Sequence, residues 1–327
     1  MRRYAVLTLG LVLLLGMCAI AADYTMTIGH SQPETSARHK ALLFFEEIVE
    51  QASEGAIDVE VFPGGQLGTE AEVMESVQLG VVQATEGGKF EVATKTYLLY
   101  TLPFLFDSPE QALEVMRSDV GDAINEEAKA NGYYVPACGI AGGFRQWTNN
   151  VRPITCTDDM VGLKMRTPGI DSIMRTFDAM DANRQSIPYV DVYVALKQGV
   201  ADGQENPYSN IAQMKFYEVQ SYLTVSNYQV HPNPFFINLA WYEALPDELQ
   251  KIVTYAARVA MIYNDTIWLA EEMDAYDVIA ANLEVNVLSD AARAAFAEKV
   301  QPVWQYYIDE GTFSQELLDS VLAFIGG

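Results

Sequence analysis

The exchange of strand-like and helix-like periods over residues 24–84 constrains the fold more than any other feature of this chain. Tyr24 to Gly29 alternates apolar and polar residues, as a half-buried strand does. Ala41, Phe44, Phe45, Ile48, Val49 and Ala52 then fall on one face of a helix spanning 37–53. Ile57 to Phe62 is a second strand, closed by the Pro63-Gly64-Gly65 turn. Thr69, with Glu72 three residues on, forms a capping box that opens a helix through Val73, Met74 and Val77 and ends at Gly80. Val81 to Ala84 reads as a third strand. Such β-α-β-α-β alternation predicts a parallel sheet with helices on its faces, an α/β fold.

The same grammar continues. Helices are expected near 109–117 and 119–131, and strands at Tyr133–Ile140 and Gly162–Arg166. Thr167 can cap a helix whose first position is Pro168 and whose stripe is Ile170, Ile173, Met174 and Phe177. Tyr189, Val192, Tyr193 and Leu196 mark another helix, and strands follow near 221–229 and 234–240. From Pro246 to about Ala281 the helical pattern is almost unbroken. At 1.5 Å per residue that is roughly 45 Å or more, longer than one small domain and long enough to lie across two. Short helices are expected to finish the chain. There is no internal repeat, low-complexity tract or Gly/Ser linker, so two domains would have to be joined by strands.

The N-terminus predicts export. Arg2 and Arg3 precede an apolar run from Ala5 to Ile20, and Ala19-Ile20-Ala21-Ala22 supplies the small residues of a cleavage site. Residues 1–22 read as a signal peptide, since the 16-residue run falls short of the roughly 20 that a spanning helix needs. Its removal takes the formal net charge from -24 to -26. So acidic a chain excludes nucleic-acid binding through basic patches and adsorption to anionic lipid, and it favours solubility. Two cysteines remain, Cys138 and Cys156. Export permits a disulfide between them, and two free thiols are the alternative.

Signatures of catalysis are missing: GxSxG, HExxH, CxxC, the P-loop and GxGxxG do not occur. Only three histidines occur, His30, His39 and His231, which does not suggest a metal site. The informative residues are cations. Arg145, Arg152, Lys164, Arg166, Arg175 and Arg184 crowd into forty residues of an acidic protein. In GLKMRTPG, residues 162–169, Arg166 ends a strand where a helix should begin. Ligands of open α/β sheets bind at that edge. A helix N-terminus there favours an anion, and a guanidinium can grip a carboxylate with two parallel hydrogen bonds. A salt bridge between elements is the bland alternative. In ADGQENP, residues 201–207, Asn206 precedes Pro207 and is placed to cap the next helix or to present its amide to a ligand.

GLKMRTP and ALKQGVADGQENP, with GGFRQWTN at 142–149, VFPGGQLGTEAEVMESVQLG at 61–80 and LPFLF at 102–106, resemble the solute-binding proteins of tripartite ATP-independent periplasmic (TRAP) transporters, the dicarboxylate-binding (DctP-like) subfamily above all. The resemblance covers the chain from Asp23 to its C-terminus. It implies a two-domain periplasmic-binding-protein-like fold, with hinge strands and a long helix spanning both domains. Residues 23–143 plus 232–271 would form the first domain, and 144–231 plus 272–327 the second. It implies capture without chemistry: a periplasmic protein that is no enzyme, binds an organic acid, and delivers it to one small and one large integral membrane subunit. A protein presenting the acid to a membrane sensor would share the same pocket. The family's carboxylate-binding arginine falls on Arg166, its second cleft arginine on Arg145, its ligand-contacting asparagine on Asn206 and its pocket aromatic on Tyr189. Glu86 or Lys89 in TEGGKF, and Ser31 with His30 and Glu34 nearby, complete the expected site. Asn227 and Tyr228 match a further pocket stretch. Neither a cofactor nor a metal is expected. An inward, ionised Glu86 would favour a hydroxylated sugar acid, whereas Arg145 or Lys89 on a second carboxylate would favour a C4-dicarboxylate.

Overall fold

The computed structural model describes residues 22–326; the expected signal peptide lies outside them apart from Ala22. Twelve strands are described in chain order: β1 Tyr24–Gly29, β2 Ile57–Phe62, β3 Ala84–Glu86, β4 Tyr133–Tyr134, β5 Cys138–Ile140 and β6 Gln146–Asn149. Then come β7 Lys164–Thr167, β8 Asn183–Ser186, β9 Gly203–Asn206, β10 Tyr222–Val225, β11 Pro232–Asn238 and β12 Glu284–Val287. They build two sheets. The first runs β2-β1-β3-β11-β4, with β5 also on β11. Its three N-terminal strands are parallel, as the alternation predicts, and β11 enters antiparallel to β3. The second runs β12-β10-β6-β9-β7-β8.

Several boundaries differ from the sequence reading, each for a physical reason. Residues 79–82 are a turn about Gly80 (φ 75°) that leaves Val81 72% exposed, so the third strand begins only at Ala84. The strand expected over 133–140 is two, broken around Pro136, and the halves pair with different stretches of β11. Thr167 caps nothing. The helix starts at Asp171, after a Pro168-Gly169-Ile170 loop, and runs to Ala179. Asn206 does not cap either: Pro207 takes that position, and the helix is Tyr208–Gln213. The closing helices, Asp290–Asp309 and Gln315–Ile325, are longer than expected. Cys138 is buried, Cys156 is exposed, and both are free thiols.

Two lobes result, one around each sheet. The chain crosses between them at 141–145 and returns at 226–231, and these crossings are bonded to one another. Ala141 N donates to His231 O and Arg145 N to Gln229 O, both at 2.9 Å. The helix Asp247–Ala280, 34 residues long, packs on the helix Ala37–Ala52 of the first lobe and on Tyr208–Gln213 of the second. Polar contacts fasten it to β5, beside the crossing, and to the start of Tyr208–Gln213. Asp265 accepts from Ile140 N at 3.0 Å, Asn264 donates to Ile140 O at 3.2 Å, and Glu272 accepts from Ser209 N at 3.1 Å. No helix among the described residues is long and apolar enough to cross a membrane.

Candidate functional site

Of the six crowded cations, Lys164, Arg175 and Arg184 are surface partners of Asp202, Asp171 and Asp178. Arg145 and Arg166 are different, at 2% and 1% exposure. Arg166 sits near the end of β7, parallel to both β8 and β9. Its Nε donates to Ile187 O at 2.8 Å. Among the described residues its other nitrogens have no hydrogen-bond partner, and no carboxylate stands within 4.0 Å of it. Burial therefore drags its pKa down to about 10, and the nearby Arg145 charge adds to that, against the pull of Glu205 and Glu70. A buried guanidinium with unspent donors and a depressed pKa is a site that gains by taking an anion.

The space in front of it is a cavity of about 180 Å³ lined from both lobes. Thr69, Glu70, Gly88 and Lys89 line it from the first lobe; Arg166, Gly169, Ser186 and Tyr189 line it from the second. The lobes are closed upon it. Lys89 Nζ donates to Gly169 O at 2.8 Å, Glu91 accepts from Asp171 N at 3.1 Å, and the hydroxyls of Thr101 and Ser172 lie 2.5 Å apart.

Lys89 and Tyr189 thus join Arg166 on the cavity wall. The Tyr189 hydroxyl and Gln32 Oε1 are each buried without a hydrogen-bond partner. Ser31 reaches the wall indirectly, donating to the Glu70 carboxylate at 2.6 Å. The remaining expected residues are arranged otherwise. Arg145 does not hold a free fork for a second carboxylate. Its Nε and Nη2 both engage the Glu205 carboxylate, which also accepts from the Tyr228 hydroxyl at 2.7 Å. Burial opposes the Arg145 charge, but Glu205 outweighs it and its pKa rises. Asn206 accepts from Arg145 and Asn210, both at 3.1 Å, and donates to Gln204, so it belongs to the network behind Arg166. Glu86 stands behind the wall, beside Arg38 and Asn233. It does not pair with Lys89, which reaches Glu91 at 3.5 Å. Glu34 is exposed, and Asn227 accepts from Gln146 at 2.7 Å.

Three participants escape sequence reasoning: Glu205, Arg38 and His231. Glu205 carried a signal, since it sits in the QENP run between Gln204 and Asn206, but nothing in the run names its partner. His231 is held neutral by burial and by the charges of Arg145, Arg38 and Arg166. Its Nδ1 lies 3.4 Å from Arg145 Nη1. A guanidinium only donates, so the ring proton belongs on Nε2, which is buried without a partner. Unpartnered polar groups cost roughly 1–3 kcal/mol each when left dry, and here they gather where the lobes meet. Among the described residues no three His, Cys, Asp or Glu side chains are grouped to hold a metal.

Two α/β lobes, two bonded crossings, a spanning helix and an anion-seeking cation in the cleft define a solute-binding protein. The family model for bacterial extracellular solute-binding proteins, family 7 (DctP), matches residues 28–310, and the chain belongs to that family, a family of solute-binding proteins rather than catalysts. The C4-dicarboxylate-binding periplasmic protein DctP of Rhodobacter capsulatus is 31% identical over 301 residues, 90% of this chain and 89% of that protein. A TRAP periplasmic solute-binding protein from Shewanella oneidensis, solved with bound succinate, superposes with a TM-score of 0.88 at 27% identity, covering 93% of this chain and all of that one. The sugar acid binding protein DctPAm of Advenella mimigardefordensis, solved with galactonate, gives 0.87 at 28% identity, covering 92% and 97%.

Proposed function

We propose that the mature chain is exported to the periplasm, captures an organic acid anion through Arg166, and delivers it to the two integral membrane subunits of a TRAP transporter. The acid is a hydroxylated sugar acid or a C4-dicarboxylate. The observation that carries this reading is the Arg166 guanidinium, buried at the cleft with no counterion in contact and a cavity before it. Relatives support it, since proteins of this fold are described with succinate and with galactonate. In the same reading Tyr189 packs on the ligand, Lys89 and Ser31 with Glu70 form the rim, and Arg145, Glu205 and Asn206 hold Arg166 in place. The lobes correspond to 23–143 plus 232–271 and 144–231 plus 272–327. Closure excludes water, and binding must favour the closed form for ligand to shift the equilibrium.

The test is a thermal-shift screen of the mature protein against dicarboxylates, uronates and aldonates, repeated on Arg166→Ala. Two charge-assisted hydrogen bonds are worth about 1.5–3 kcal/mol each, so the variant should lose at least about 100-fold in affinity. Its own unfolding transition should stay cooperative. Affinity within a few-fold of wild type would overturn the carboxylate clamp.

A further inference from the structure

The first lobe carries a second cavity, of about 290 Å³, that shares no lining residue with the cleft. Three separate stretches meet around it. The corner between the helices Pro109–Met116 and Asp119–Glu127 supplies Arg117 and Asn125, the chain entering β5 supplies Pro136 and Cys138, and the long helix supplies Arg258 and Met261. Close packing fixes the corner. A Cβ at Gly121 would fall 2.1 Å from Met116 O, so only glycine lets the second helix start so near the end of the first.

The polar groups on this cavity are only half used. Arg117 donates to Asp265 of the long helix through Nη2 alone. Arg258 donates through Nε to Pro136 O at 3.1 Å. Among the described residues the other nitrogens of both guanidinium groups have no hydrogen-bond partner. Acidic residues outnumber basic ones 44 to 20 in this chain, yet none described stands within 4.0 Å of Arg258. Asn125 is 6% exposed, and its Oδ1 accepts from the Tyr97 hydroxyl at 2.7 Å. That bond fixes which way the amide points and leaves Nδ2 unpartnered at the cavity. Two guanidinium groups and a buried amide thus offer donors alone, which is what a carboxylate needs.

The rest of the lining is apolar or negative. Met116 and Met261 are buried, while Ile262 stands at the edge with 55% of its surface exposed. Asp122 also lines the cavity and, among the described residues, has no salt-bridge partner. A ligand with a second negative charge would meet its repulsion.

We propose that this cavity is a second ligand site, which takes a monocarboxylate with a short apolar body. Arg117, Arg258 and the Asn125 amide receive the carboxylate, Met116, Met261 and Ile262 pack on the body, and Asp122 turns dianions away. The site is independent of the clamp at Arg166.

Methionine-methyl NMR of the mature protein tests it, in an Arg166→Ala background so that the cleft cannot answer for the second site. Titration with isovalerate should shift the methyl signals of Met116 and Met261, assigned by Met→Leu replacement, along a saturable curve. Isovaleramide, the neutral isostere, should bind at least about tenfold more weakly, since each charge-assisted hydrogen bond carries about 1.5–3 kcal/mol. Succinate should shift these two signals only at much higher concentration. Arg258→Gln, which breaks one bond to a carbonyl and strands no carboxylate, should weaken isovalerate by at least about tenfold and leave the fold intact. Any of three results would overturn the proposal: no saturable shift with isovalerate, equal binding of isovaleramide, or isovalerate binding undiminished by Arg258→Gln. Succinate binding as tightly as isovalerate would overturn the choice of a monocarboxylate.

Discussion

Arg145, at the end of the first crossing, and Arg166, on β7, are equally buried, yet only one of them is compensated. Glu205 and Arg145 are 0% and 3% exposed as side chains, so removing one partner strands the other in a dry interior. Glu205→Gln should therefore cost about 3–5 kcal/mol in a denaturant melt of the ligand-free protein. Arg166→Gln removes a cation that already lacks a counterion and should cost far less. Equal losses would mean that the two arginines are held alike. The sequence displayed Arg166 plainly, because a cation before Thr-Pro-Gly breaks an apolar run. It hid the Arg145–Glu205 pair. That pair depends on β6 lying antiparallel to β9 with Trp147 opposite Glu205 and Gln146 opposite Asn206. Both strands, QWTN and GQEN, are buried throughout and mostly polar, so neither shows the alternation that betrays a strand or its register. Arg38 was hidden for a related reason: a cation within an amphipathic helix pattern reads as a solvated face until the fold shows what stands over it.

At the scale of elements, the misplaced helix start is instructive. Thr167-Pro168 has the chemistry of a cap and a first turn, but the chain spends Pro168, Gly169 and Ile170 on the cavity wall before the helix begins at Asp171. Local preference yields where the site needs backbone. That same helix N-terminus is where the lobes latch, because Glu91 of the first lobe accepts from Asp171 N. A carboxylate at the positive end of a helix is worth about 0.3–1 kcal/mol, and this contact crosses the cleft, so it stabilises the closed form alone. Glu91→Gln keeps an acceptor but loses the charge. It should speed ligand dissociation several-fold with little change in association, which stopped-flow fluorescence would resolve. An altered association rate with unchanged dissociation would assign Glu91 to ligand entry rather than to closure.

At the scale of the whole molecule, periodicity alone made the long helix legible from end to end, whereas the two lobes it spans were carried only by the family resemblance. Periodicity over 34 residues is strong. A chain that leaves one sheet, builds another and returns announces neither crossing, because both are short and carry no Gly/Ser linker. The single local mark is the Gly142-Gly143 pair in the first crossing. Gly142 has φ 95°, and a Cβ there would lie 2.7 Å from the Pro207 ring, which follows β9 in the second lobe. The crossing thus abuts the second lobe in the closed form, and only glycine fits both the angle and the gap. Gly142→Ala adds a methyl at that seam and a left-handed backbone that costs about 1–3 kcal/mol for an alanine. A hinge at this crossing would draw it away from Pro207 as the lobes open, so the clash would burden the closed state alone. Small-angle scattering should then show ligand-induced compaction in the wild type and little in the variant, with affinity weakened by about 5- to 150-fold. Full compaction at unchanged affinity would show that the lobes close about some other point, and would move the hinge to the return crossing at 226–231.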